Sequence, residues 1–174
     1  MLIGRSTIYK ILALFLLIAC AQWLLFRSSL NFALAAADAG LEMTALESVI
    51  SHSRMAWAFA VCFVIMVVLL CMTGCEYGSK QGYTLRRLSV SERSVFVWQS
   101  VYNIFCFFML WAVQAMIACV LCKLYIAKVD PKLTSVQTVF LTFYRNDFLH
   151  SILPLSMVSR WIRNILLVVC LGLA

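Results

Sequence analysis

Three small groupings in the sequence carry residue types that could do chemistry. Cys119 and Cys122 have the C-x-x-C spacing of a redox pair or half a zinc site. Asp147, His150 and Ser151 lie within about one helical turn, and they are the types of an acid, a base and a nucleophile. Gly74, Gly78, Ser79 and Lys80 glance at a phosphate-binding loop. Each grouping fails on its surroundings. The cysteines follow Met116-Ile117-Ala118 and enclose Val120-Leu121, which makes them small buried hydrophobes one helical turn apart. A hydrolytic set needs a base oriented on a nucleophile in a dry pocket, and nothing else in the chain supplies one. The glycines miss the G-x-x-x-x-G-K-[ST] spacing, and no strand precedes them. No H-E-x-x-H or other zinc spacing occurs. The expectation is a chain with no catalytic residue, no metal and no cofactor of its own: not an enzyme.

The elements that must hold these residues are apolar. Of the 174 residues, 64% are hydrophobic and 12% charged, with a mean hydropathy of +0.98. Soluble domains run at about 45–50% and about 25%. One soluble core cannot absorb that much apolar surface, so lipid must be the solvent for much of it. All eight cysteines (Cys20, Cys62, Cys71, Cys75, Cys106, Cys119, Cys122 and Cys170) lie in or beside apolar runs, not in polar loops where disulfides would be useful. The formal charge is +7, from 14 Lys and Arg against 7 Asp and Glu. In a soluble chain that would suggest nucleic acid. Here the basic residues sit at the ends of apolar runs, where they fix orientation against anionic lipid, and no nucleic-acid partner is expected.

Four apolar runs follow in order. The first, at about 8–27, has Arg5 and Lys10 near its start and Arg27 at its end. Ala19-Cys20-Ala21 and Leu17-Ile18-Ala19-Cys20 offer the boxes of a secretory or lipoprotein leader. Against both, apolar residues continue through Phe26 and no polar tether follows, so a retained span is the favoured reading. The interval 28–53 holds Asp38, Glu42 and Glu47 and no Lys or Arg; Leu34, Leu41, Leu46 and Ile50 recur at roughly helical spacing. An amphipathic helix on the surface, or a helical cap over the bundle, is expected there, with His52 a solvated residue at its end. The second run, 55–75, is the strongest transmembrane signal, because about 20 residues pass without a charge. The third, 95–126, ends near Lys123, Tyr125 and Lys128. Between 134 and 155 an apolar stripe (Val136, Phe140, Phe143, Phe148, Ile152) is interrupted by Arg145, Asn146, Asp147 and His150, which suits an interfacial or re-entrant helix. The last run, 158–174, carries Arg160 and Arg163 and is expected to be a partial span in a chain that stops inside it. The fold class is therefore all-α: one polytopic membrane domain over 1–174, with about four transmembrane helices plus interfacial amphipathic helices.

Two polar features stand out against this frame. The loop 76–94 carries Lys80, Arg86, Arg87 and Arg93 against Glu76 and Glu92, a net of +2. Arg27 and Arg54 flank an interval with three acids, a net of −1. The excess of Lys and Arg makes 76–94 cytoplasmic, and the N-terminus with it. Lys123, Lys128 and Lys132 add positive charge on the other side, but the first spans usually set the orientation. Ser89-Val90-Ser91-Glu92 is a capping box, so a helix is expected to start near Ser89 and run into the membrane. The second feature lies on that helix. Gln99, Asn103 and Gln114 fall within about 60° on a helical wheel. Amides in a membrane helix face protein or a wet cavity, so this is a cavity-lining or helix-packing stripe.

The run Tyr83-Thr84-Leu85-Arg86-Arg87-Leu88-Ser89-Val90-Ser91, followed by a Trp- and Tyr-bearing apolar run, resembles the first cytoplasmic loop of ABC-2-type bacterial ABC transporter permeases. The likeness covers about 55–126. Such permeases commonly have six spans, and a Pro usually stands where this chain has Ser89. The resemblance implies a bacterial inner-membrane permease subunit, short or truncated. It implies an ATP-binding subunit in trans and a second permease copy or homologue as partners, besides the bilayer. It also implies that Tyr83, Leu85, Arg86, Arg87, Leu88, Ser89, Glu92 and Arg93 form the ATPase-coupling surface. The rival reading is a structural or accessory multi-pass membrane protein in which the loop only orients the helices.

Overall fold

A computed structural model describes residues 5–39, 46–74, 92–128, 136–154 and 158–173. The described elements are α1 (Arg5–Asp38), α2 (Leu46–His52), α3 (Met55–Gly74), α4 (Glu92–Lys128), α5 (Val136–Arg145), α6 (Asp147–Ile152) and α7 (Val158–Leu173). The fold is all-α. Among the described residues three helices are long and apolar enough to cross a bilayer, through Ile8–Ala36, Met55–Met72 and Arg93–Lys128. The fourth span expected from the sequence is not among them. Helix α7 has 16 residues, about 24 Å of helix against a hydrocarbon core of about 30 Å.

Helix α1 does not stop at Arg27 but continues to Asp38. Nothing in 28–38 breaks a helix: there is no Gly or Pro, and Ala33, Ala35, Ala36 and Ala37 favour one. The surface helix expected over 28–53 is thus divided between the end of α1 and the short α2. Leu46, Val49 and Ile50 of α2 turn inward and are buried. Leu41 and Glu42 lie outside the described residues.

Two buried clusters fix the course of the spans. The upper one joins Phe26 and Leu30 of α1, Met55 of α3, and Ala118, Leu121, Cys122 and Tyr125 of α4. The lower one joins Ile11, Leu14 and Ile18 of α1, Cys62, Met66 and Leu70 of α3, and Cys106, Phe107 and Leu110 of α4. Helices α1 and α4 therefore run in parallel and α3 runs back against them. The α2 face, Phe143 of α5 and Leu149 of α6 close the upper cluster. Helix α7 lies along the lower half of α4: Trp161 meets Trp111 edge-on at 5.2 Å between ring centres, and Val168 packs on the lower cluster. At Gly172 the two backbones come so close that an added Cβ would lie 2.8 Å from the backbone nitrogen of Ile104.

Two chain breaks are stitched by side chains. At the first, Ser29 Oγ donates to the Val49 carbonyl at 3.0 Å and Ser53 Oγ to the Ile50 carbonyl at 2.6 Å, closing the end of α2. Arg54 follows with φ 52, in the left-handed region, and its carbonyl accepts from the Trp57 and Ala58 N–H groups to open α3. At the second break, Asn146 divides the segment expected to be one helix. Its N–H still closes α5 on the Thr142 carbonyl at 2.9 Å, while its Oδ1 accepts from the Phe148 and Leu149 N–H groups, each at 3.2 Å. That makes Asn146 the N-cap of α6. Beyond α6, Trp111 Nε1 donates to the Ile152 carbonyl at 3.0 Å and Asn164 Nδ2 to the Ser151 carbonyl at 2.8 Å. Irregular backbone at membrane depth needs such partners, because lipid offers none.

Candidate functional site

Four residues separate successive members of one face on a helix. On α1 that spacing places Gln22 between Ile18 of the lower cluster and Phe26 of the upper one. On α4 it places Gln114 between Leu110 and Ala118, again at the seam of the two clusters. The parallel course of α1 and α4 brings the two amides to the same level. Gln22 Nε2 donates to Gln114 Oε1 at 2.8 Å, and Gln114 Nε2 donates back to Gln22 Oε1 at 3.0 Å. Both residues are 0% exposed, so no solvent reaches the pair. Each amide satisfies the other's strongest need for a partner in an apolar surrounding. The arrangement fixes how α1 and α4 face each other and the height at which they meet.

The amide stripe read from α4 divides in the structure. Gln99 Nε2 donates to Asn103 Oδ1 at 3.3 Å, a local pair one turn apart and only partly buried. Gln114 shares their face but reaches across to α1. The partner, Gln22, was not singled out from the sequence. A usable signal existed, since it is the one amide within the apolar run 11–26. The identity of its partner was not in the pattern.

Of the proposed coupling surface, Tyr83, Leu85, Arg86, Arg87, Leu88 and Ser89 lie outside the described residues. Glu92 opens α4, and Arg93 on its first turn is exposed. The flanks of the loop are placed, however. The lower cluster contains the beginning of α1 (Ile11), the far end of α3 (Leu70) and the early part of α4 (Cys106). The end of α3 and the start of α4 therefore lie at the end of the bundle where α1 begins, with Lys10 on that first part of α1.

The Asp147, His150 and Ser151 grouping does not converge. Ser151 Oγ donates to the Phe148 carbonyl at 2.7 Å, inside its own helix. The His150 ring stands edge-on to Tyr144 at 5.7 Å between centres, and its Nδ1 is shut away without a hydrogen-bond partner. Cys119 is exposed on the outside of α4 and Cys122 is buried one turn on; both are free thiols. Among the described residues no three His, Cys, Asp or Glu side chains gather in a way that could hold a metal ion. His52, exposed, rests on the Ser48 carbonyl at 3.1 Å.

No protein-family model matches the chain, and no curated protein or solved structure matches it either. The multi-pass architecture is a property of this chain's own helices.

Proposed function

We propose that the chain is a permease-like membrane subunit of an ABC transporter. It takes motion from a separate ATP-binding subunit through 83–93 and works beside a second permease copy or homologue. Its membrane would be the bacterial cytoplasmic membrane, with the N-terminus and the 75–91 loop inside. The observation that supports this reading most is the shared end: Ile11, Leu70 and Cys106 meet in one cluster, so the helix ends that flank the basic loop lie beside the start of α1, as the charge pattern requires. The mechanism follows from α4. It runs unbroken for 37 residues from Glu92 to Lys128, about 55 Å of helix. A displacement at Arg93 travels along that rod to Gln114, and the amide pair passes it to α1. The spanning windows are only 22%, 22% and 33% buried within the chain, which leaves wide apolar faces for lipid and for a partner subunit.

Reversal of Arg86 and Arg87 to Glu tests the coupling. Loss of ATPase co-purification, with helicity unchanged by circular dichroism, supports it; unchanged association removes it. A reagent confined to the outside should fail to label a Ser91→Cys variant in intact cells on a cysteine-free background.

The second reading, a structural or accessory membrane protein, draws on the amide pair itself. Gln22 and Gln114 satisfy each other and are 0% exposed, so they do not line a wet cavity. Under that reading no ATPase co-purifies with the wild-type chain, and the loop charges alter only orientation.

A further inference from the structure

The two stitched chain breaks face each other. Between the α2–α3 turn and the α5–α6 break lies a recess of about 550 Å³. Four charged side chains line it: Glu47 from the first turn of α2, Arg54 from the α2–α3 turn, and Arg145 and Asp147 on either side of the α5–α6 break. They share the recess without closing on one another, for no ion pair joins them among the described residues. The net charge of the set is zero, with two groups of each sign. Trp57 stands at the rim and is 73% exposed. From it an apolar stripe descends the outer face of α3 through Val61, Val64 and Val68, all exposed. The spacing is one helical face, and from Trp57 to Val68 it covers about 16 Å.

We propose that this recess binds the headgroup of a zwitterionic phospholipid carrying a primary ammonium, with one acyl chain laid on the α3 stripe. Arg54 and Arg145 take the phosphate, where guanidinium forks match phosphate oxygens. Glu47 and Asp147 take the ammonium. A primary ammonium has N–H bonds to give to carboxylates; a trimethylated one has none. An anionic headgroup leaves both carboxylates facing like charge. Trp57 sits where indoles prefer to lie, between headgroup and hydrocarbon. The stripe begins at the recess itself, which favours a lipid over a free phosphate of the same chemistry.

Native mass spectrometry of the full chain, stripped of lipid and offered equal amounts of phosphatidylethanolamine, phosphatidylcholine and phosphatidylglycerol, tests this. The ethanolamine lipid should be retained roughly tenfold over either of the others. Joint Arg54→Ala and Arg145→Ala replacement should remove that retention, while Arg54→Lys with Arg145→Lys keeps part of it. Glu47→Gln with Asp147→Asn should abolish the preference and move binding toward the glycerol lipid. Helicity by circular dichroism confirms that each variant folds. Equal retention of all three lipids, or a preference unchanged in the charge variants, overturns the proposal. So does soluble glycerophosphoethanolamine binding as tightly as the lipid, since that identifies a free zwitterion as the occupant.

Discussion

Gln22 and Gln114, 92 positions apart in the chain, exchange two hydrogen bonds of 2.8 and 3.0 Å at the seam between the two apolar clusters. The pair is therefore the point at which the relative height of those two helices is set.

Replacing either glutamine by Leu of similar size strands the other amide. Gln22→Leu or Gln114→Leu should each cost about 1–3 kcal/mol. The double replacement should recover much of that loss, with a coupling of about 0.6–1.7 kcal/mol on the scale of hydrogen bonds in membrane proteins. Reversible unfolding in mixed micelles measures it. Strictly additive losses would show that the two amides do not depend on each other.

Gly172 is where α7 touches the α4 backbone. A Cβ there meets Ile104 Cγ1 and lies 2.8 and 2.9 Å from the Ile104 backbone nitrogen and Cα. Backbone cannot step aside as a flexible side chain can. Gly172→Ala should push the helices apart at a cost of about 1–3 kcal/mol, with faster hydrogen exchange in 158–173 as the readout. Exchange unchanged from wild type would mean that the close approach is not maintained.

Asn146 holds the second break by capping α6. Asn146→Ala removes the acceptor for the Phe148 and Leu149 N–H groups and should cost about 0.5–2 kcal/mol. Asn146→Asp, which keeps the acceptor, should retain most of the stability. If both variants melt at the same temperature, the cap is not what holds the break.

The thiols should divide by position. Cys20, Cys71, Cys119 and Cys170 are exposed, and Cys62, Cys106 and Cys122 are buried. In mild detergent a small thiol reagent should modify Cys119 well ahead of Cys122, followed peptide by peptide. Equal rates, or a Cys119–Cys122 disulfide in the untreated protein, would contradict the packing of α4.

Much of this protein was legible without coordinates, because lipid imposes a simple rule on composition. Three long apolar stretches with basic ends can satisfy their backbone only as helices, so the all-α membrane class followed from residues such as those of 55–75 alone. The amide face of α4 was also visible, as 100° of rotation per residue puts Gln99, Asn103 and Gln114 together. Local signals failed where the outcome turned on distant partners. Arg27 marks the end of an apolar run, yet α1 continues to Asp38: the Ala-rich 28–38 permits the helix, and burial of Leu30 and Ala33 in the upper cluster gives its extra turns a partner. The 134–155 stripe has a single helical period, yet Asn146 breaks it and caps the freed N–H groups of α6, whose last carbonyls are taken up by Trp111 and Asn164.

What the amino-acid order determined by itself was the solvent each segment prefers, which depends only on side-chain type. Which face of each helix is inside was decided by tertiary structure. Gln22 met Gln114 rather than Gln99 because α1 and α4 run parallel and share one height. The recess exists only because two breaks far apart in the chain come side by side. Both facts concern pairs, and a pairwise distance is not a property of either residue's neighbours in sequence.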